Sequence, residues 1–220
     1  MKNIKAIIFD AYGTLFDVNS AAEKCKSKIG DKWENFANYW RKTQLEYTWL
    51  RSLMGRHKDF WQITEDSLDK SMKAFKIDIG MKNELLDLYK ILSPYPEVKE
   101  TLEKLKEKKY ILAILSNGTP DLLNELVKSN DLQNLFDDIF SIEEVKIYKP
   151  SSKVYDMPIK KYKMKIEDAA FLSANTWDVS GGGNYGFTSV WVNRNNNIFD
   201  NLDYKPKNEI RGLNQLLDIL

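Results

Sequence analysis

Cysteine occurs once in the 220 residues, at Cys25, and histidine once, at His57. A lone cysteine excludes an intrachain disulfide and fits a reducing compartment. With one imidazole in the chain, Cys25 is also short of partners as a nucleophile, and it reads as a small helix residue. His57 stands among charges in Arg56-His57-Lys58-Asp59 and reads as solvated. A charge excess is missing too: 33 basic against 32 acidic residues leave +1. That balance points away from nucleic acid and anionic membranes as partners. The basic run Lys104-Leu105-Lys106-Glu107-Lys108-Lys109 contains a Glu and reads as a solvated helix end. No apolar run nears the roughly 18 residues of a membrane span. No signal-peptide pattern stands before the first apolar run, and no repeat or low-complexity linker interrupts the chain. These absences predict a soluble, cytoplasmic protein.

What is present suffices for a real core, with 43% hydrophobic and 12% aromatic residues. The length allows one large domain, or a core with a smaller insert. Five apolar runs alternate with helical stretches: residues 4–10, 110–116, 138–142, 169–174 and 189–192. The alternation predicts a parallel sheet with helices on both faces. Each run ends in polar residues, and parallel strands put those ends along one ligand-binding edge. Between the first two runs, about Phe16 to Ser93, there is no strand pattern. Trp33, Phe36, Trp40, Tyr47, Leu50 and Met54 recur there at helical spacing and predict a buried stripe. Arg41, Leu45 and Trp49 fall on another face, which could look back at the sheet. Ser93-Pro94-Tyr95-Pro96 reads as the return to the sheet. Asn193-Arg194-Asn195-Asn196-Asn197 reads as an exposed turn.

The first run closes in Ile7-Ile8-Phe9-Asp10-Ala11-Tyr12-Gly13-Thr14-Leu15. Asp10 therefore sits where a strand runs out, a place for a catalytic carboxylate, though a helix cap or turn role fits as well. Further on come Leu115-Ser116-Asn117-Gly118, then Lys149-Pro150 with Tyr155, then Ser173-Ala174-Asn175-Thr176-Trp177-Asp178. Each alone is a frequent accident. Together, in order and near strand ends, they resemble the four motifs of the haloacid dehalogenase superfamily, and in detail its L-2-haloacid dehalogenases.

The resemblance implies a doubly wound, Rossmann-like α/β core with an inserted helical cap. It places the core at residues 1–15 and 96–220 and the cap at 16–95. It implies that Asp10 is a nucleophile forming an ester, oriented by Thr14 and held ionised by Lys149. Arg41, helped by Asn117, would meet the departing halide. Ser116 and backbone N–H groups near Ala11 and Tyr12 would hold the substrate carboxylate. Leu45 would bind substrate beside Arg41, and Tyr12, Phe60 and Trp177 would line the site and exclude water. Ser173, Asn175 and Asp178 would position and activate the hydrolytic water, with Tyr155 holding Lys149 or Asp178. Phosphatases of the superfamily carry a general-acid Asp two residues after the nucleophile; here it is Tyr12. A halide leaves without a proton, so this substitution favours carbon–halogen cleavage. The fourth motif opens with Ser173 rather than Asp, and a hard cation wants several anionic oxygens. No metal and no other cofactor is therefore expected. The family also suggests a homodimer.

Taken singly, Arg41 could be a surface cation, Trp177 a core aromatic and Asp178 a helix N-terminal residue. A phosphatase and a catalytically silent binding module are the alternatives. Gly181-Gly182-Gly183 departs from the family's helix after the fourth motif. That segment is expected to be loosely helical or packed unusually close to a neighbour.

Overall fold

A computed structural model describes residue 1 and residues 3–220. At its centre lies β1 (Ala6–Phe9), four consecutive apolar residues that are all fully buried. Continuous apolar sequence is what a parallel strand covered on both faces requires. Beside it run β2 (Ile111–Ser116), β3 (Asp138–Ser141), β4 (Ala169–Ser173), β5 (Thr188–Val192) and β6 (Asn208–Ile210). All pairs are parallel, in the order β3-β2-β1-β4-β5-β6. Five strands coincide with the apolar runs, so the doubly wound α/β reading holds. The sixth lies outside the expectation: β6 has three residues, two of them polar, and pairs only with the edge of β5, so hydropathy does not reveal it. From β1 the chain moves outward through β2 to β3, then returns to the other side of β1 for β4. Winding thus reverses at the C-terminal ends of β1 and β4, which opens a crevice there.

Five helices follow β1: α1 (Ser20–Lys24), α2 (Lys26–Ile29), α3 (Trp33–Leu53), α4 (Phe60–Phe75) and α5 (Lys82–Lys90). The chain leaves the sheet and comes back through two segments that pair with each other. The Asp17 N–H donates to the Ser93 carbonyl at 2.8 Å, and the Tyr95 N–H to the Leu15 carbonyl at 3.0 Å. After this come α6 (Val98–Glu107), α7 (Pro120–Ser129), α8 (Ser152–Tyr162), α9 (Thr176–Tyr185) and α10 (Leu216–Ile219). No helix among the described residues is long and apolar enough to cross a membrane.

The aromatic stripe of α3 is corrected in its second half. Phe36 and Trp40 are buried, but Leu50 is 45% and Met54 61% exposed. The buried face continues instead through Thr43, Gln44 and Thr48, the 3–4 spacing that follows from Trp40. It packs on Thr64, Ser67 and Ser71 of α4, all fully buried. These hydroxyls donate to carbonyls one turn back on their own helix, as in Thr64 Oγ1 to the Phe60 carbonyl at 2.7 Å. Polar groups satisfied within their own helix can be buried without a partner on the other helix.

Two further expectations are corrected. The 193–197 tract is not an exposed turn at its start: Asn193 is buried and donates to Glu209 Oε1 at 2.7 Å. Arg194 bonds Glu97 at 2.7 Å and the Thr14 carbonyl at 3.0 Å, and its guanidinium lies 3.8 Å from the Tyr95 ring centroid. His57 is half-buried rather than free in solvent: Nε2 lies 3.2 Å from both Glu143 carboxylate oxygens, and its ring lies beside Tyr148. The glycine segment is regular helix, packed close. A Cβ on Gly181 would stand 2.5 Å from Tyr155 Oη, and one on Gly182 would stand 2.6 Å from the Phe171 ring.

Candidate active site

Asp10 is carried on the last rung of the β1–β4 ladder, its N–H donating to the Leu172 carbonyl at 2.9 Å. The chain then turns tightly: the Ala11 carbonyl accepts from the N–H groups of Thr14, Leu15 and Phe16, and Gly13 takes φ +89°, which favours glycine. This turn brings Thr14 back over the carboxylate. Thr14 Oγ1 donates to Asp10 Oδ2 at 2.8 Å and accepts from the Ala174 N–H at 2.8 Å. Asn175 Nδ2 also donates to Asp10 Oδ2, at 3.0 Å, and Ser173 Oγ lies 3.4 Å from it. Asp10 Oδ1, in contrast, faces Lys149 Nζ at 3.2 Å. The two oxygens of one carboxylate are thus inequivalent.

Lys149 Nζ lies 2.9 Å from Asp178 Oδ2, and Tyr155 donates to Asp178 Oδ1 at 2.7 Å. Asp10, Lys149, Asp178, Tyr155, Thr14 and Ser173 are all buried. One ammonium therefore bridges two buried carboxylates, a geometry in which the paired charges offset part of their desolvation. Burial lifts the Asp178 carboxyl to about 6, while Lys149 draws it down and Asp10 pushes it up. Burial, with Asp178 as neighbour, raises the Tyr155 phenol well above its usual value, so it remains a donor.

Around the second strand end, Asn117 Oδ1 accepts from the Lys149 N–H at 3.2 Å, leaving Nδ2 to point elsewhere. Ser116 Oγ accepts from the Gly118 N–H at 3.1 Å, and its own proton has no protein acceptor among the described residues. The same holds for the backbone N–H groups of Ala11 and Tyr12.

From the helical side, Arg41 donates through Nη2 to the Tyr12 carbonyl at 3.2 Å and through Nη1 to Gln44 Oε1 at 2.8 Å. Two turns along α3, Trp49 meets Trp177 edge to face at 5.3 Å between centroids. The 41–45–49 face therefore does look back at the sheet, with half-buried Leu45 between its two contacts. Tyr12 projects up from the sheet, its ring 5.1 Å from Phe60 and stacked at 5.7 Å on Tyr89. Burial raises its phenol well above the usual value.

All fifteen residues singled out in the sequence thus lie at the β1–β4 crevice or on the helical face above it. Sequence reasoning missed Gln44, Tyr89 and the pair His57–Glu143. The first two are polar residues buried in the helical region, and only Gln44 left a trace, at the 40–44–48 spacing of the buried face. The His57–Glu143 contact joins residues 86 apart, which no local pattern records.

The family model described as a haloacid dehalogenase-like hydrolase matches residues 4–186. The (S)-2-haloacid dehalogenase 1 of Pseudomonas sp. (strain CBS-3) is 39% identical, over 100% of this chain and 98% of its own length. A crystal structure of a dehalogenase superposes with a TM-score of 0.98 at 37% identity, covering 100% of this chain and 98% of that one. The L-2-haloacid dehalogenase from Xanthobacter autotrophicus, with chloropropionic acid covalently bound, gives a TM-score of 0.91 at 30% identity over 98% of both chains. In fold, in the order of its motifs and along nearly its whole length, the chain belongs to the haloacid dehalogenase-like hydrolases.

Proposed function

We propose that this protein hydrolyses L-2-haloalkanoic acids to D-2-hydroxyalkanoic acids and halide through an ester on Asp10. The full-length similarity to (S)-2-haloacid dehalogenases supports the reaction class. The inequivalence of the two Asp10 oxygens carries the mechanism. Oδ2 is engaged by Thr14, Asn175 and Ser173, whereas Oδ1 faces Lys149 and is the freer nucleophile. Oδ1 attacks C2 as the carbon–halogen bond breaks, and the halide leaves with the electron pair toward Arg41. The substrate carboxylate takes donors from Ser116 and from the Ala11 and Tyr12 N–H groups.

In the second step water attacks Cγ of Asp10 rather than C2. Negative charge grows on Oδ2, where three donors already stand, an oxyanion hole built before the reaction. Asp178 takes the proton of the water. As the Cγ–Oδ1 bond breaks, Lys149, placed between Asp178 and Oδ1, stabilises the departing alkoxide, which takes up that proton to become the hydroxyl of the product. The C2–O bond formed in the first step survives, so C2 is inverted once.

The reaction as proposed needs no metal. The Lys149 ammonium occupies the space between Asp10 and Asp178, the position at which a cation would bridge those carboxylates. A phosphatase would need a general acid two residues after Asp10. Tyr12, buried and with its phenol held well above the usual range, is poorly suited to that role. Hydrolysis of L-2-chloropropionate in ¹⁸O water under single-turnover conditions tests the scheme. Label is expected in Asp10; label appearing directly in the lactate would mean that water attacks C2. A cytoplasmic location is also proposed, supported by the free thiol of Cys25. A homodimer is proposed too, supported by the exposed Leu50, Leu53 and Met54 at one end of α3. Cell fractionation and light scattering test these two points.

A further inference from the structure

We infer that Gln44 is a positioning residue that aims the Arg41 guanidinium at the departing halide while leaving its charge uncompensated. The inference rests on the reading of Arg41 as the halide's partner. Gln44 is 1% exposed in the middle of α3, an expensive place for an amide unless every polar atom is satisfied. All of its partners are found. Oε1 accepts from Arg41 Nη1 at 2.8 Å, and Nε2 donates to Thr64 Oγ1 at 2.7 Å and to Tyr89 Oη at 3.0 Å.

The direction of the amide is forced. Arginine has only donors, so Gln44 must present its oxygen to Arg41 and its nitrogen to Thr64. The Thr64 proton is already given to the Phe60 carbonyl at 2.7 Å, which leaves a lone pair to receive Nε2–H. Burial raises the Tyr89 phenol, so it too stays neutral. Helices α4 and α5 thereby fix the amide, and the amide fixes the guanidinium.

The choice of a neutral acceptor matters as much as the geometry. Arg51, Arg194 and Arg211 each pair with a carboxylate, Asp66, Glu97 and Glu209 respectively. Both hydrogen bonds of Arg41 end on neutral oxygens, the Tyr12 carbonyl and the Gln44 amide. A carboxylate at position 44 would hold Arg41 as firmly, but it would spend the positive charge before the halide arrives. An amide orients the cation and leaves its field for charge that develops in the transition state.

The test compares Gln44→Glu and Gln44→Met with the unaltered enzyme on L-2-chloro-, bromo- and iodopropionate, with inhibition by added bromide as a second readout. Gln44→Glu is expected to lower kcat on the chloro acid about 100- to 1,000-fold. Gln44→Met, losing the aim without adding charge, is expected to lower it about 10- to 100-fold. In both, the loss should shrink from chloride to iodide, since a poorer leaving group depends more on Arg41, and bromide should inhibit less. Because a buried carboxylate can prevent folding, Gln44→Met decides the matter if Gln44→Glu is not recovered. A folded Gln44→Met enzyme with unaltered halide dependence and bromide inhibition overturns the inference. Arg41→Lys serves as the reference. If it alters the halide dependence while the Gln44 variants do not, the inference alone fails. If Arg41→Lys does not alter it, the Arg41 reading fails.

Discussion

The Tyr155 hydroxyl donates to Asp178 Oδ1 at 2.7 Å, tying α8 to α9 at the carboxylate proposed to activate water. This bond favours the ionised form of Asp178, opposing the burial that lifts it to about 6. Tyr155→Phe is therefore expected to move the acid limb of the kcat–pH profile upward. A hydrogen bond to a charged group is worth about 1.5–3 kcal/mol, which corresponds to roughly one to two pH units. An unmoved limb would mean that Tyr155 serves packing alone.

Gly181→Ala should act on the same bond from behind. The new Cβ would stand 2.5 Å from Tyr155 Oη and 2.6 Å from Pro150 Cβ, so the phenol must shift off Asp178. The clash is expected to cost about 1–3 kcal/mol, outweighing the helix-propensity gain of roughly 1 kcal/mol. Chemical denaturation reads the stability, and the acid limb should shift in the direction seen for Tyr155→Phe.

Asp178→Asn should stop the reaction after the first step. Intact-protein mass spectrometry is then expected to show the substrate's alkyl group retained as an ester on Asp10, with one equivalent of halide released. Stability carries a second signature. The folded-state value of Asp178 lies above its unfolded value, so folding takes up a proton between them. The contribution of this group is greatest below about pH 4 and is lost as pH rises through about 6. Urea titrations at several pH values should show that slope weakened in Asp178→Asn.

Arg41→Lys should depress kcat more than KM, because the halide charge grows only in the transition state and lysine lacks the planar fork. Ser116→Ala should chiefly raise KM, since its free hydroxyl proton is the proposed anchor of the ground-state carboxylate. Steady-state kinetics on L-2-chloropropionate separate the two. A change in KM alone for Arg41→Lys would place Arg41 on the bound substrate rather than on the halide.

The enzyme should act on one enantiomer and retain its rate in EDTA. Asp10 below, Arg41 above and Ser116 beside define three fixed points, so the mirror-image substrate aims its halogen away from Arg41. Misalignment of this kind costs on the order of 100-fold in rate. Chloride release from each 2-chloropropionate enantiomer, with chiral analysis of the lactate, checks both statements. Equal rates, or loss of activity in EDTA, would favour the phosphatase-like alternative.

The sequence by itself determined five of the six strands and which residue types stand at their ends. An unbroken apolar run such as Ala6–Phe9 states its own burial on both faces, and Asp10, Ser116 and Ser173 at the ends of such runs follow from the parallel arrangement. These are local signals, written in neighbouring residues. Tertiary structure decided what local signals do not contain. The buried face of α3 turned through Gln44 and Thr48 rather than Leu50 and Met54 because of what α4 presents to it. His57 and Arg194, polar residues in polar tracts, are held by Glu143 and Glu97, far along the chain. Asp178 is lifted to about 6 only because several elements jointly desolvate it beside one ammonium and one further carboxylate. Which residue types stand at a strand end is a property of the sequence. The field each of them experiences is the sum over everything the fold packs around it.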